Sequence, residues 1–297
     1  MNGYFHGIFG YSDDNFLLAP SLAALQDMLR TCEEYAQSHN LKFSTDPKPS
    51  KCKTKCIAFL RKQRDLPQLK LCGTSLPWVN HGKHLGNMIE NKVDGMKMDL
   101  KQKKAAYITK NNDLLQEFGS SHPETLLRMN QIYNTHFTGS PLWNIFGEEA
   151  TKLESTWNKS IKLMMDLPLA THRNLIEPVS GYQHIRKVML KGFPGFLSQV
   201  EKSPKAIPRE LSNNIKYDVR STTGRNLRKI LLLTEKTCID QLGAHDYSSV
   251  EYHPLRPEET WKVTFIKELI VVKFGRKTVE DFDMDDIEEI VCFLATS

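Results

Sequence analysis

Apolar and polar positions follow two different periods along this chain. Near the start, residues 5–11 and 16–18 are short apolar runs separated by Ser12, Asp13, Asp14 and Asn15. Those four residue types favour turns, so the pattern predicts a hairpin. Ser21 is placed to cap a helix with apolar positions at Leu25, Met28, Leu29, Cys32, Tyr35 and Ala36, three and four residues apart. Residues 41–43, 55–60, 69–73, 76–79 and 83–89, punctuated by Pro and Gly, read as short strands. After Asn91 the period becomes helical. Val93, Met96, Leu100, Tyr107, Asn111, Leu114, Leu115 and Phe118 share one face. Further helices are predicted over 123–137, 148–167 (apolar at Ala150, Leu153, Trp157, Ile161 and Met164), 183–191, 224–235, 258–272 and 284–294. Pro168 and Pro194 are expected to break this region, and residues 201–210 read as a loop or linker.

This pattern amounts to an α+β beginning followed by a mainly helical remainder. The 297 residues suffice for about two domains, or one large one. Boundaries are expected near residues 90 and 200. Apolar runs such as residues 230–233 are too short to span a bilayer, and no basic-then-apolar leader opens the sequence. The expectation is an intracellular protein, in cytoplasm or nucleus, without a membrane partner. Six cysteines at irregular spacing fit a reducing compartment. Cys52 and Cys56 have the spacing of half a metal site, but no second close Cys/His pair answers them, and two half-buried strand thiols are the expectation.

Charge changes the picture more. The chain carries a net +5, but residues 42–110 hold 16 Lys+Arg against 5 Asp+Glu, a local +11. Residues 244–297 hold 6 against 12, a local −6. The basic block, interleaved with Phe43, Phe59, Trp78 and Tyr107, matches what a phosphate backbone attracts. A lysine-rich solvated surface is the other reading.

Asp13 and Asp14 stand side by side within an apolar ribbon. Two readings fit them. One is a solvent-exposed turn, where Asp and Asn are common. The other is a divalent-cation site, because hard cations take carboxylate oxygens together with substrate phosphates.

The stretch "GYSDDNFLLAPSLAALQDML" resembles the Tyr-x-Asp-Asp hairpin and following helix of reverse transcriptases, in the form carried by non-LTR (LINE-type) retrotransposons. "LKFSTDPKPSKCKTKCIAF" is similar to that family's next palm segment, with a Lys-Ser/Thr-Lys-x-x-x-Phe pattern at Lys53, Thr54, Lys55 and Phe59. "LPWVNHGKHLGNMI" resembles the strand pair leading into the thumb. Beyond Asn91, helices including "TWNKSIKLMMDLPLATHRNLIEPVSG" resemble, less specifically, the thumb and the region after it.

The resemblance implies a partial palm over residues 1–90, a helical thumb-like region over 91–200 and a helical extension over 201–297. It implies RNA-directed DNA synthesis through two Mg²⁺ ions, with Mn²⁺ as the alternative. Asp13 and Asp14 would be the metal ligands and catalytic carboxylates, with Tyr11 against the template–primer. One of Lys53 and Lys55 would meet the leaving pyrophosphate or a backbone phosphate, and His84 and Gly86 would hold the primer strand. Lys101, Lys103 and Lys104 are the expected backbone contacts of the thumb-like helix.

The family pattern also has an aspartate on an earlier palm strand, together with fingers and a nucleotide pocket, whereas ten residues precede Tyr11. The expectation is therefore the C-terminal part of such an enzyme, a truncated or decayed copy inactive alone. Its partners would be an RNA template and a DNA primer, with deoxynucleotides only if the upstream segment is supplied. A non-catalytic nucleic-acid-binding remnant and a helical interaction protein are the competing classes.

Overall fold

The computed structural model describes residues 7–236, except Pro49, 61–64, 93–95 and 135–136, together with residues 260, 262–264 and 266–267. The class is mixed α and β, with helices dominant and small antiparallel sheets. The chain divides into two compact units, residues 1–93 and 94–297.

The first unit opens with strands β1 (Ile8–Tyr11) and β2 (Asp14–Leu17). They pair antiparallel, Ile8 with Leu17, Phe9 with Phe16, Gly10 with Asn15 and Tyr11 with Asp14. Only Ser12 and Asp13 remain in the loop, two residues rather than the four expected. Ser12 has φ 55°. Positive φ at the first loop residue is the type II′ pattern, whose twist matches that of the flanking strands. Asp14 is therefore a strand residue, held opposite Tyr11.

Helix α1 (Leu22–Ser38) follows, and Ser21 Oγ accepts from the Ala24 amide at 3.2 Å, the predicted cap. It buries Leu29 and Ala36 but leaves Tyr35 59 % exposed, against expectation. Tyr35 instead stacks on His39 at 4.0 Å, a contact available one helical turn on at the surface.

Leu29 joins Cys52, Cys56, Leu69, Leu71 and Leu76 in a small core, with Leu17, Leu25, Phe43 and Trp78 packed on it. Strands β3 (Lys70–Leu71) and β4 (Thr74–Ser75), then β5 (His81–His84) and β6 (Asn87–Glu90), form two further hairpins. Residues 83–89 are thus a turn with a strand on either side, not one strand. The turn is Leu85–Gly86, with φ 47° and 80°. Positive φ at both positions is the type I′ pattern, which Gly86 accommodates without a Cβ. Residues 41–43 form no strand, and residues 55–60 contribute only an isolated bridge from Cys56 to Trp78. The two thiols lie at 2 % and 7 % exposure, fully rather than half buried.

The second unit packs helices α2 (Lys97–Phe118), α3 (Pro123–Asn134), α4 (Glu148–Met164), α5 (Arg173–Ser180), α6 (Ile185–Glu201), α7 (Ala206–Tyr217) and α8 (Thr222–Leu233). Helix α4 is central: Ala150, Leu153, Trp157, Ile161 and Met164, the predicted stripe, are all buried. The Trp157 ring lies stacked between Tyr107 at 5.4 Å and Tyr182 at 5.1 Å. Beside this stack runs a buried polar chain. Asn111 Nδ2 donates to Ser160 Oγ at 3.1 Å, and Asn134 Nδ2 donates to Asn111 Oδ1 at 2.8 Å and Asn130 Oδ1 at 2.9 Å. Asn130 Nδ2 in turn donates to the Tyr107 and Tyr182 hydroxyls at 3.4 and 3.3 Å. Every member is satisfied by another, which makes burial of these amides affordable.

Three expectations change here. Pro194 lies inside α6 instead of ending it. Phe193 and Leu197, at 0 % and 3 % exposure, anchor the helix on both sides, and their burial outweighs the lost hydrogen bond. Residues 206–210 are helical, because Pro208 falls in the first turn of α7, where its missing N–H has no helical acceptor. Phe118, at the end of α2, is 42 % exposed. At Gly224, in the first turn of α8, an added Cβ would sit 2.2 Å from the Asp218 carbonyl oxygen, so glycine lets the two segments meet. Helix 284–294 lies outside the described residues. The predicted helix over 258–272 is represented by its described residues, where Val263 and Ile266 join the core of this unit.

Candidate nucleic-acid interface

Residues directly opposite across an antiparallel pair share one face of the hairpin. The register therefore places Phe9, Tyr11, Asp14 and Phe16 on one side of β1–β2, and Ile8, Gly10, Asn15 and Leu17 on the other. Leu17 packs on the small core. The aromatic side stays open, with Phe9 38 % and Tyr11 68 % exposed. The Phe9 and Phe16 rings are 6.4 Å apart, and the His84 ring lies 5.6 Å from Phe16. His84 of β5 thus sits against Phe16, on the strand pair whose same side carries Tyr11 and Asp14. Gly86 sits in the β5–β6 turn beyond His84. Among the described residues neither β1 nor β2 pairs with a third strand.

Lys53 and Lys55 lie on an extended segment where Cys52 and Cys56 are buried and Thr54 is half-buried. The Thr54 amide and hydroxyl both donate to the Ser44 carbonyl oxygen, at 3.3 and 3.1 Å. This alternation leaves Lys51, Lys53 and Lys55 exposed together. Burial, and next the neighbouring Cys52, push the Cys56 thiol up to about 11. It is a protonated core thiol at neutral pH, unsuited to act as a thiolate ligand.

Asp13 and Asp14 are both exposed. Among the described residues no group of three or more His, Cys, Asp or Glu side chains is placed to hold a metal ion. Two adjacent carboxylates alone do not make up the ligand set of a two-Mg²⁺ site, so the donors present here do not fit that centre without further ligands.

The lysines of the second unit separate into two groups. At 3.6 residues per turn, Lys97, Lys101 and Lys104 flank the buried stripe of α2 on one side, and Lys103 and Lys110 flank it on the other. The first group faces α4. Lys101 Nζ is 4.0 Å from Glu149 Oε1, and Lys152 Nζ is 2.7 Å from Glu148 Oε1 and 3.1 Å from Glu149 Oε1. Burial opposes ionisation of Glu149, but the Lys152 hydrogen bond and the charges of Lys152, Lys101 and Lys104 hold it below the usual carboxylate range. Glu148 is held low by Lys152 first and by Lys97 next. In the second group Lys103 Nζ donates to Thr138 Oγ1 and Lys110 Nζ to the Tyr133 carbonyl oxygen, both at 3.3 Å. Lys101, Lys103 and Lys104 therefore do not form one patch.

Sequence reasoning did not single out Phe9, Phe16 or Lys51 in the first unit, or Lys97 in the second. The first pair was legible only with the two-residue loop, which sets which residues face each other. No described helix is long and apolar enough to cross a membrane. No family model, curated protein or solved structure matches this chain.

Proposed function

We propose that residues 1–93 are a partial palm of reverse-transcriptase type, and that the chain binds an RNA template annealed to a DNA primer. The observation that carries this reading is the register of the first hairpin. Tyr11 stands opposite Asp14, Asp13 lies in the two-residue loop, and a Ser21-capped helix follows. That arrangement gives the Tyr-x-Asp-Asp residues a hairpin carrying its carboxylates at one end. Exposed Phe9 and Tyr11, with half-buried Phe16 beside His84, offer stacking surfaces for bases or sugars, and the lysine excess over residues 42–110 suits a phosphate backbone.

Two carboxylates do not complete a two-metal centre, so the same reading makes this chain a binder without polymerase activity of its own. The open hairpin supports this. A two-stranded ribbon is marginal in water, and a larger sheet that included it would carry the further carboxylate. The test is primer extension on RNA with Mg²⁺ and deoxynucleotides. The chain alone should bind the duplex and extend nothing. Fused behind a finger–palm segment of a LINE-type enzyme it should extend, and Asp13→Asn should abolish that extension. A fusion equally active with Asp13→Asn would refute the palm assignment.

A further inference from the structure

We propose that Glu148 and Glu149 act as an internal counter-charge on Lys97, Lys101 and Lys104, competing with a nucleic-acid backbone for that flank of α2 and so weakening its grip. The inference rests on the nucleic-acid reading above and concerns how that surface is regulated. Both carboxylates open α4, where the helix dipole favours anions, and Gly147 provides no side-chain cap in their place. Glu149 is the anchor, with a side chain 8 % exposed and in reach of both Lys101 and Lys152. Glu148 is the outer member, 71 % exposed beside Lys152. Around them Lys97, Lys101, Lys104 and Lys152 exceed the two carboxylates, so the flank keeps a positive balance. The Lys101–Glu149 contact is long, at 4.0 Å, and Lys101 is itself 56 % exposed, so its ammonium can turn outward and a phosphate oxygen can take the place of Glu149 against it. The fixed carboxylates still repel that phosphate, which makes the surface a weak binder with a preset ceiling.

The test uses the full chain and a fluorescently labelled DNA primer annealed to an RNA template, with anisotropy followed against salt. Each lysine freed to meet a phosphate adds about 0.9 to the salt slope, roughly tenfold in affinity at 50 mM salt. Glu148→Gln with Glu149→Gln should therefore bind about tenfold tighter with a slope steeper by about 1. Glu117→Gln with Glu235→Gln, the same charge change at two exposed residues outside this cluster, should gain no more than about twofold, the share that belongs to net charge alone. Replacing Lys97, Lys101 and Lys104 by Gln should erase the gain. Glu148→Gln alone, at the exposed position, should show part of the gain with an unchanged melting temperature, which guards against misfolding of the double variant. A gain equal to the control, or one that survives loss of the three lysines, overturns the proposal while leaving the nucleic-acid reading intact. Absence of salt-dependent binding in every protein overturns both.

Discussion

Arg186 Nε donates to Glu154 Oε2 at 2.6 Å, tying α6 to α4 through a pair in which the side chains are only 12 % and 7 % exposed. His184 Nε2 lies 3.2 Å from the other carboxylate oxygen, and His184 Nδ1 accepts from the Arg186 amide at the start of α6. Burial works against the Glu154 charge. The hydrogen bonds from His184 and Arg186 and the Arg186 charge overcome it and hold the carboxyl far below its usual range. A depressed carboxylate stabilises the fold fully above its unfolded value of about 4.3, and that contribution is lost as pH falls below it. Urea midpoints should therefore drop on acidification below about pH 4.3, and Glu154→Gln should flatten that limb. At pH 7 the variant should lose about 3 kcal/mol, because Arg186 remains buried without its anion.

The buried amide chain gives a second expectation. Asn130 is 0 % exposed and serves both tyrosine hydroxyls at once. Asn130→Leu keeps the branched shape but strands the Tyr182 hydroxyl, and takes one partner each from the Tyr107 hydroxyl and the Asn134 amide, which keeps Asn111. Each orphaned group costs about 1–3 kcal/mol, so the variant should melt far below the parent by calorimetry. A change of less than about 1 kcal/mol would mean that water replaces the amide.

The open aromatic side of the first hairpin predicts self-association. Phe9→Thr with Tyr11→Thr keeps β propensity and removes the exposed rings. Sedimentation should show less concentration-dependent association in the variant, with the helical signal unchanged.

Lysine variants should separate by flank. With Glu148 and Glu149 replaced by Gln, Lys101→Gln with Lys104→Gln should lower the salt slope of duplex binding by up to about 2, near one per phosphate contact. Lys103→Gln with Lys110→Gln should lower it less, since both side chains already donate to Thr138 and Tyr133. Equal effects would place the backbone across the whole of α2.

At the turn after β5, Gly86→Ala should destabilise the first unit by about 1 kcal/mol through left-handed strain alone. A Cβ there meets nothing within 4 Å, so the loss tests φ and not packing.

Much of the second unit was legible in one dimension. The stripe from Ala150 to Met164 follows from helical periodicity, which depends only on neighbours three and four residues away, although the helix ends at Met164 and not at the expected Leu167. The Ser21 cap is local in the same sense. The paired hairpin residues were partly legible: alternation showed a turn, but loop length depends on Ser12 accepting positive φ, and that moved Asp14 from the turn into a strand facing Tyr11. Pro194 was misread because a proline's cost inside a helix is weighed against tertiary burial, visible only once Phe193 and Leu197 have a core to enter, whereas the helix at Pro208 rests on a local first-turn position. The lysines of α2 show the same limit. Sequence determined their number and helical spacing. Only the tertiary structure decided that Lys101 and Lys104 face Glu148 and Glu149 while Lys103 reaches Thr138, because electrostatic partners are set by distance in space and not by separation along the chain.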